Sequence, residues 1–210
     1  MVVMGDNVAA VIRLMLVTDD HMLRGRQLVE VARAAERGGI TSLQLRLKHA
    51  TARELAGVVR ALVAEVNIPV LVNDRPDVAL AAGAAGVHLG PDDLPIPLAR
   101  RIAPPGFIIG ASVGNEEEAW GAAEADYWGV GPWRSTSTKS DAGAGLGPAG
   151  FRRLVQLAGP KPCIAIGGVL PDDLPAVLAE GGVGAAVVSG ILAADDIEGA
   201  ARKYVIARPS

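Results

Sequence analysis

The chain has 210 residues, enough for one domain with a sizeable core and too few for two ordinary ones. Half of it is apolar and only 3% is aromatic, so aliphatic burial can offset the entropy of ordering and a disordered chain is excluded. A formal net charge of −3 leaves no basic excess for nucleic acid or an anionic membrane, and a single cysteine, Cys163, excludes an internal disulfide.

Residues 1–18 are apolar but broken by Asp6 and Arg13, which is too interrupted for a membrane span and lacks the pattern of a secretory leader. A cytoplasmic domain is the default expectation. From there, short aliphatic and β-branched runs predict strands over 12–18, 42–47, 70–73, 86–89, 107–112, 127–130, 163–166 and 185–189. Amphipathic stretches between them predict helices near 25–38, 51–66, 76–83, 95–103, 115–124, 148–158, 172–180 and 195–206. Thr51 with Glu54 forms a capping-box pattern, and Asp172 is placed to cap the seventh helix.

Eight strands alternating with eight helices imply a parallel α/β sheet with helical crossovers. In so short a chain this reads as a single compact closed (β/α)8 barrel over residues 1–210, a TIM barrel below its usual size of about 250 residues. Residues 1–10 are expected to be a short N-terminal extension. The Ser/Thr/Gly-rich stretch 135–147 is expected to be a mobile active-site loop.

Polar residues at the carboxyl ends of barrel strands carry the chemical information. In Gln44-Leu45-Arg46-Leu47-Lys48 the period of two puts Gln44, Arg46 and Lys48 on one face and the leucines on the other. A solvated strand end making salt bridges would read the same way. Inward positions are normally aliphatic, which favours an anion site. Asn73-Asp74 closes the third strand and Asp92-Asp93 follows the fourth, so two carboxylates from adjacent strands suit one hard divalent cation. Asp92 is better read as a cap on the fourth helix. His88 is a further candidate ligand or base, but a lone strand histidine more often satisfies local hydrogen bonds, and it is left out of the catalytic set.

Ser112 brings a hydroxyl to the mouth with no base beside it in sequence, which suits a hydrogen bond to phosphate rather than nucleophilic attack. Thr136, Ser137, Thr138 and Lys139 stand on a glycine-rich loop suited either to cover a phosphorylated substrate or to idle in solvent. Gly167-Gly168 and Ser189-Gly190 end the last two strands, where these barrels frequently bind phosphate through backbone N–H groups. Two separate anion sites are therefore implied.

Seven motifs occur in order: Gln-Leu-Arg-Leu-Lys (44–48), Val-Asn-Asp-Arg (72–75), Gly-Val-His-Leu-Gly-Pro-Asp-Asp (86–93), Asp-Tyr-Trp-Gly-Val-Gly-Pro (126–132), Thr-Ser-Thr-Lys (136–139), Ala-Ile-Gly-Gly (165–168) and Val-Val-Ser-Gly-Ile (187–191). Together with Leu-Val-Thr-Asp (16–19), the series resembles that of the thiamine phosphate synthases, and the resemblance covers nearly the whole chain. It implies a transferase of thiamine biosynthesis that joins a pyrimidine methyl pyrophosphate to a thiazole phosphate, releasing pyrophosphate. The family mechanism is dissociative, with pyrophosphate leaving first. By position, Gln44, Arg46, Lys48, Asn73 and Lys139 would hold the pyrimidine pyrophosphate with help from Ser112, and Asp74 and Asp93 would bind Mg2+. Thr136 and Thr138 would meet the thiazole phosphate from the loop, Gly168, Val188 and Ser189 would bind it, and Ser137 would be a further substrate-binding residue. Arg46, Lys139 and Ser112 would be the catalytic set. The implied partners are small molecules, not nucleic acid or membrane, and a homo-oligomer is compatible with them.

The chain departs from the family pattern at several places. Leu47 stands where Glu is usual, Met15 where tyrosine is common and Asp20 where arginine often follows. Pro91-Asp92 replaces Gln-Glu, Trp133-Arg134-Ser135 replaces aliphatic-Phe-Pro, and Gly114 replaces a histidine found in relatives. A sister family that tautomerises the thiazole phosphate relies on that histidine and tends to lose the Thr-x-Thr-Lys loop, so the synthase is the better match. A non-catalytic phosphate-binding barrel would need the glycine loops but not Arg46, Asp74, Asp93 and Lys139 together. An isomerase would need a positioned acid–base pair, and only Asp side chains without an evident partner are available.

Overall fold

The computed structural model describes residues 8–135 and 145–207. Its eight strands form a closed parallel barrel in chain order: β1 (Leu14–Val17), β2 (Ser42–Leu45), β3 (Val70–Asn73), β4 (Gly86–Leu89), β5 (Ile108–Val113), β6 (Tyr127–Val130), β7 (Cys163–Ile166) and β8 (Gly184–Val187). The barrel shuts where β1 pairs with β8. The helices are α1 (Val8–Val11), α2 (Leu28–Arg37), α3 (Ala52–Glu65), α4 (Pro76–Ala82), α5 (Ile96–Ile102), α6 (Glu116–Gly121), α7 (Gly147–Ala158), α8 (Leu174–Ala179), α9 (Ser189–Leu192) and α10 (Ile197–Ile206). Among the described residues, no helix is long and apolar enough to cross a membrane.

Two apolar clusters divide the alternating side chains. The outer one joins strand residues such as Leu43, Leu45, Val70, Val72, Ile109 and Ala111 to the helices. The inner one fills the bore with Met15, Val17, Leu71, Ile108, Tyr127, Ile164 and Ala186. Val11 and Ile12 belong to this inner cluster, with Val8 packed against it, so α1 and the residue after it close the barrel floor. Each fully buried aliphatic side chain contributes about 1.5–3 kcal/mol before the entropy cost is counted.

Glycines allow the strands and their side chains to come this close. A Cβ on Gly110 would overlap the Tyr127 ring, which occupies the space opposite that position in the bore. At the closing seam, a Cβ on Gly184 would collide with the Arg13 carbonyl. The capping box at α3 forms as the sequence indicates: Thr51 Oγ1 accepts from Glu54 N at 3.3 Å and Glu54 Oε2 accepts from Thr51 N at 2.8 Å.

Some boundaries differ from the sequence expectation. β2 ends at Leu45, before Leu47, because the chain leaves the ladder and turns at Lys48 and His49. β8 stops at Val187 because Ser189 opens α9. The seventh predicted helix begins as a 3-10 turn over Pro171–Asp173. There Asp173, not Asp172, supplies the local carboxylate contact, accepting from Leu170 N at 2.8 Å. Neither Asp92 nor Asp93 caps α5, whose N-cap is Pro95.

Candidate active site

A cavity of about 410 Å3 opens at the carboxyl ends of the strands. Strand register places its floor. Gln44 pairs with Val17, Asn73 with His88 and Ser112 with Gly129, so inward side chains from adjacent strands lie at neighbouring levels. Gln44, Arg46, Asn73, Ser112, Gly168, Val188 and Ser189 all line the cavity. Lys48 does not: once β2 has ended, the alternation no longer directs it inward, and it is exposed on the turn. Thr136, Ser137, Thr138 and Lys139, with most of the 135–147 loop, lie outside the described residues.

Arg46 is held in place at the rim. Its Nη1 donates to Asp19 Oδ2 at 3.2 Å, and the two side chains keep only 11% and 12% of their exposure. Asp19 is itself fixed by the backbone N–H groups of His21 and Met22, whose bonds to Oδ1 measure 3.1 and 3.2 Å. The buried Thr18 completes the anchorage. Its hydroxyl accepts from Arg46 N at 2.8 Å and donates to Arg46 O at 3.1 Å. Asp19 was not among the expected site residues. The polar Thr18-Asp19 pair at the end of an otherwise aliphatic strand was the available signal, by the same reasoning applied to β2.

Below Arg46 runs a buried chain of polar groups. His88 Nε2 lies 3.0 Å from Ser112 Oγ, and His88 Nδ1 lies 2.9 Å from the Tyr127 hydroxyl. Gln44 Nε2 donates to Met15 Sδ at 3.4 Å, and Gln44 also bonds the Tyr127 hydroxyl. Burial pushes the Tyr127 phenol far above its ordinary range, so its proton stays in place as a donor. Gly129 leaves room for the imidazole, since a Cβ there would sit 3.1 Å from His88 Cε1. His88 is thus the link between Ser112 and the barrel interior, a place that the sequence left ambiguous.

Asp74 and Asp93 follow β3 and β4 at the carboxyl ends of these strands and do not line the cavity itself. Asp74 N donates to His88 O at 2.9 Å, and Asp74 adopts a left-handed backbone, φ 64°, that non-glycine residues seldom take. Asp93 Oδ2 accepts from Gly90 N at 2.6 Å, two residues beyond His88. Among the described residues, no group of three or more His, Cys, Asp or Glu is arranged to enclose a metal. The carboxylates that follow β3 and β4 are hard oxygen donors of the kind a divalent cation takes.

At the opposite side of the cavity, Gly167 and Gly168 take positive φ values of 88° and 69°. Glu118, not anticipated from the sequence, lines the cavity as well and accepts from Gly114 N at 2.7 Å and Asn115 Nδ2 at 2.7 Å. Among the described lining residues, Arg46 is the cation and Glu118 the carboxylate.

Fold and site together define a TIM-barrel enzyme with its cavity at the strand carboxyl ends. A family model described as thiamine monophosphate synthase matches residues 14–191. The chain is 44% identical over 198 residues to a thiamine-phosphate synthase of Syntrophomonas wolfei, covering 90% of this chain and 93% of that one. It is 44% identical over 194 residues to one of Methanoculleus marisnigri, covering 90% and 92%. Among solved structures, a thiamine phosphate pyrophosphorylase from Pyrococcus furiosus superposes with a TM-score of 0.84 at 37% identity, covering 96% of this chain and 97% of that one. The chain belongs to the thiamine monophosphate synthase family, a family of transferases.

Proposed function

We propose that the protein condenses an aminopyrimidine methyl pyrophosphate with a thiazole phosphate, giving thiamine monophosphate and pyrophosphate. The observation that carries this reading is one cavity with two chemically distinct ends: Arg46, fixed by Asp19, on one side, and the Gly167-Gly168 turn on the other. One end suits a pyrophosphate and the other a monophosphate.

Arg46 meets the departing pyrophosphate, and its pairing with Asp19 preorganises the guanidinium so that little reorganisation is needed as charge develops. If the Tyr127 hydroxyl donates to His88 Nδ1, then Nε2 carries the proton shared with Ser112, and the serine O–H is left to donate to a phosphate oxygen. Asn73 and Gln44 hold the pyrimidine end; Gly168, Val188 and Ser189 receive the thiazole phosphate. Lys139 is assigned to the pyrophosphate end and Thr136 and Thr138 to the thiazole phosphate, with Ser137 beside them in sequence as a substrate-binding residue; Lys48, exposed on the turn after β2, is not among these contacts. Asp74 and Asp93 would hold Mg2+, which neutralises pyrophosphate charge when bound. The C–O bond to pyrophosphate breaks first, and the thiazole nitrogen, held in line, captures the pyrimidine methylene cation.

The test mixes the protein with both substrates and Mg2+ and follows thiamine monophosphate by chromatography. Magnesium-dependent product that disappears in Asp74→Asn supports the reading. Asparagine is the chosen replacement because it tolerates the left-handed backbone. Tight binding of both ligands without product would overturn it in favour of a phosphate-binding sensor.

A further inference from the structure

Trp133-Arg134-Ser135, which departs from the family pattern, follows β6. Trp133 is buried and meets Phe151 edge-on with ring centroids 5.4 Å apart, anchoring the segment in the core. Arg134 does something different. Its backbone N donates to Gly167 O at 2.9 Å, its Nη2 donates to Asp173 Oδ1 at 2.6 Å, and its Nη1 pairs with Asp173 Oδ2 and reaches Gly168 O at 3.3 Å. Asp173 is nearly buried, and one of its oxygens also accepts from Leu170 N. Burial alone would raise its carboxyl, but the bonds from Arg134 and Leu170 N hold it below the usual range, so the fork stays ionic.

The loop after β7 meets the loop after β6 where its two glycines have little room for side chains of their own. A Cβ on Gly167 would lie 2.7 Å from Pro132 Cβ, and one on Gly168 would lie 3.1 Å from Arg134 Cβ. The shape of the Gly167-Gly168 turn is therefore set by the backbone leaving β6, and the Arg134–Asp173 fork ties that backbone to the far side of the turn. Gly167 and Gly168 line the cavity, whereas Arg134 and Asp173 stand behind them.

We propose that Arg134 and Asp173 are a positioning pair for the monophosphate end of the cavity: the fork holds the glycine turn in its phosphate-receiving shape before substrate arrives. This inference rests on the synthase reading above. Preorganisation of this kind raises affinity by removing an ordering cost from binding, and it acts on one substrate only. The pyrimidine pyrophosphate, gripped chiefly by Gln44, Arg46, Asn73 and Ser112 on or just after strands away from this turn, gains nothing from it.

The experiment is calorimetry on the full chain with the thiazole phosphate and, separately, with the pyrimidine pyrophosphate. It compares wild type, Arg134→Ala, Asp173→Asn, the double variant and Arg134→Lys. Asp173→Asn retains an oxygen for Leu170 N, and thermal unfolding checks that every variant folds. Each single variant is expected to weaken the thiazole phosphate roughly fivefold to tenfold and the double variant no further, as expected for two partners of one interaction. Pyrimidine pyrophosphate binding stays unchanged. In turnover, the KM for the thiazole phosphate rises while kcat holds within about twofold, because a lost positioning interaction is read in binding. Arg134→Lys recovers part of the loss, one bond replacing a fork. Wild-type affinity in the folded single variants, additive losses in the double, or equal weakening of both ligands overturns the positioning role alone. A wild type that binds no thiazole phosphate overturns the synthase reading, and the positioning role with it.

Discussion

Replacing Arg46 by methionine tests the way Asp19 and Arg46 support one another. The substitution keeps most of the aliphatic stem and removes the charge, leaving the Asp19 carboxylate at 12% exposure with its bonds from His21 N and Met22 N. Breaking a fully buried pair by deleting one partner costs about 3–5 kcal/mol. The two remaining backbone bonds and the residual solvent contact reduce that here to ~2 kcal/mol, near the value of a single charged hydrogen bond. For a chain of this size the thermal midpoint should fall by about 4–8 °C. Asp19→Asn removes the stranded charge, so the double variant should lose ~1 kcal/mol less than the sum of the singles. In turnover, Arg46→Met should reduce kcat/KM by at least about 100-fold, since a charge facing the leaving group is gone. Asp19→Asn keeps that charge but loosens its aim and should cost about tenfold. Differential scanning calorimetry and steady-state kinetics read both quantities. Additive stability losses, or an Asp19→Asn enzyme as active as wild type, would refute the coupling.

Asp74→Asn is expected to lower magnesium-dependent turnover by more than about 100-fold while calorimetry finds thiazole phosphate binding intact; a magnesium-independent residual rate equal to wild type would sink the metal assignment. Gly184→Ala drives a Cβ into the Arg13 carbonyl at the closing seam and should destabilise the barrel by ~3 kcal/mol, read as a lower denaturant midpoint. An unchanged midpoint would mean that the seam yields. Burial pushes the Cys163 thiol up to about 12, so a thiol reagent at pH 8 should label it only after unfolding. The sign follows from linkage. The folded thiol keeps its proton to higher pH than the unfolded one, so its effect is a loss of stability as pH climbs from about 9 towards about 12. Rapid labelling of the native protein would contradict this.

The barrel was legible because its period is enforced by burial. β3, β4, β6 and β7 are short, largely buried runs, and their limits coincide with the expected ones at 70–73, 86–89, 127–130 and 163–166. The failures lie where a local pattern is read past the end of its element. Leu47 and Lys48 continue the alternation of β2, but alternation directs side chains only while the strand persists. Four-residue helices such as α1 and α9 are too short to show a helical period. In the site, Gln44, Asn73 and Ser112 were readable because a polar residue at an inward strand position is itself the anomaly, and Arg46, the first residue after β2, still lines the cavity. Asp19 and His88 act through partners distant in sequence, 27 residues away for Arg46 and 39 for Tyr127, and one sequence alone does not pair them.

The overlap between Gly110 and Tyr127 in the bore has an evolutionary consequence. The missing side chain on β5 and the large one on β6 share a single volume, so position 110 is not free to drift while the ring stays. A lineage acquiring any side chain at 110 must first have lost the ring at 127, and losing that ring unsupports His88 and with it Ser112. The permitted order of change therefore runs through the floor of the cavity. Ancestral reconstructions of this barrel should never show a side chain at 110 while the ring stands at 127.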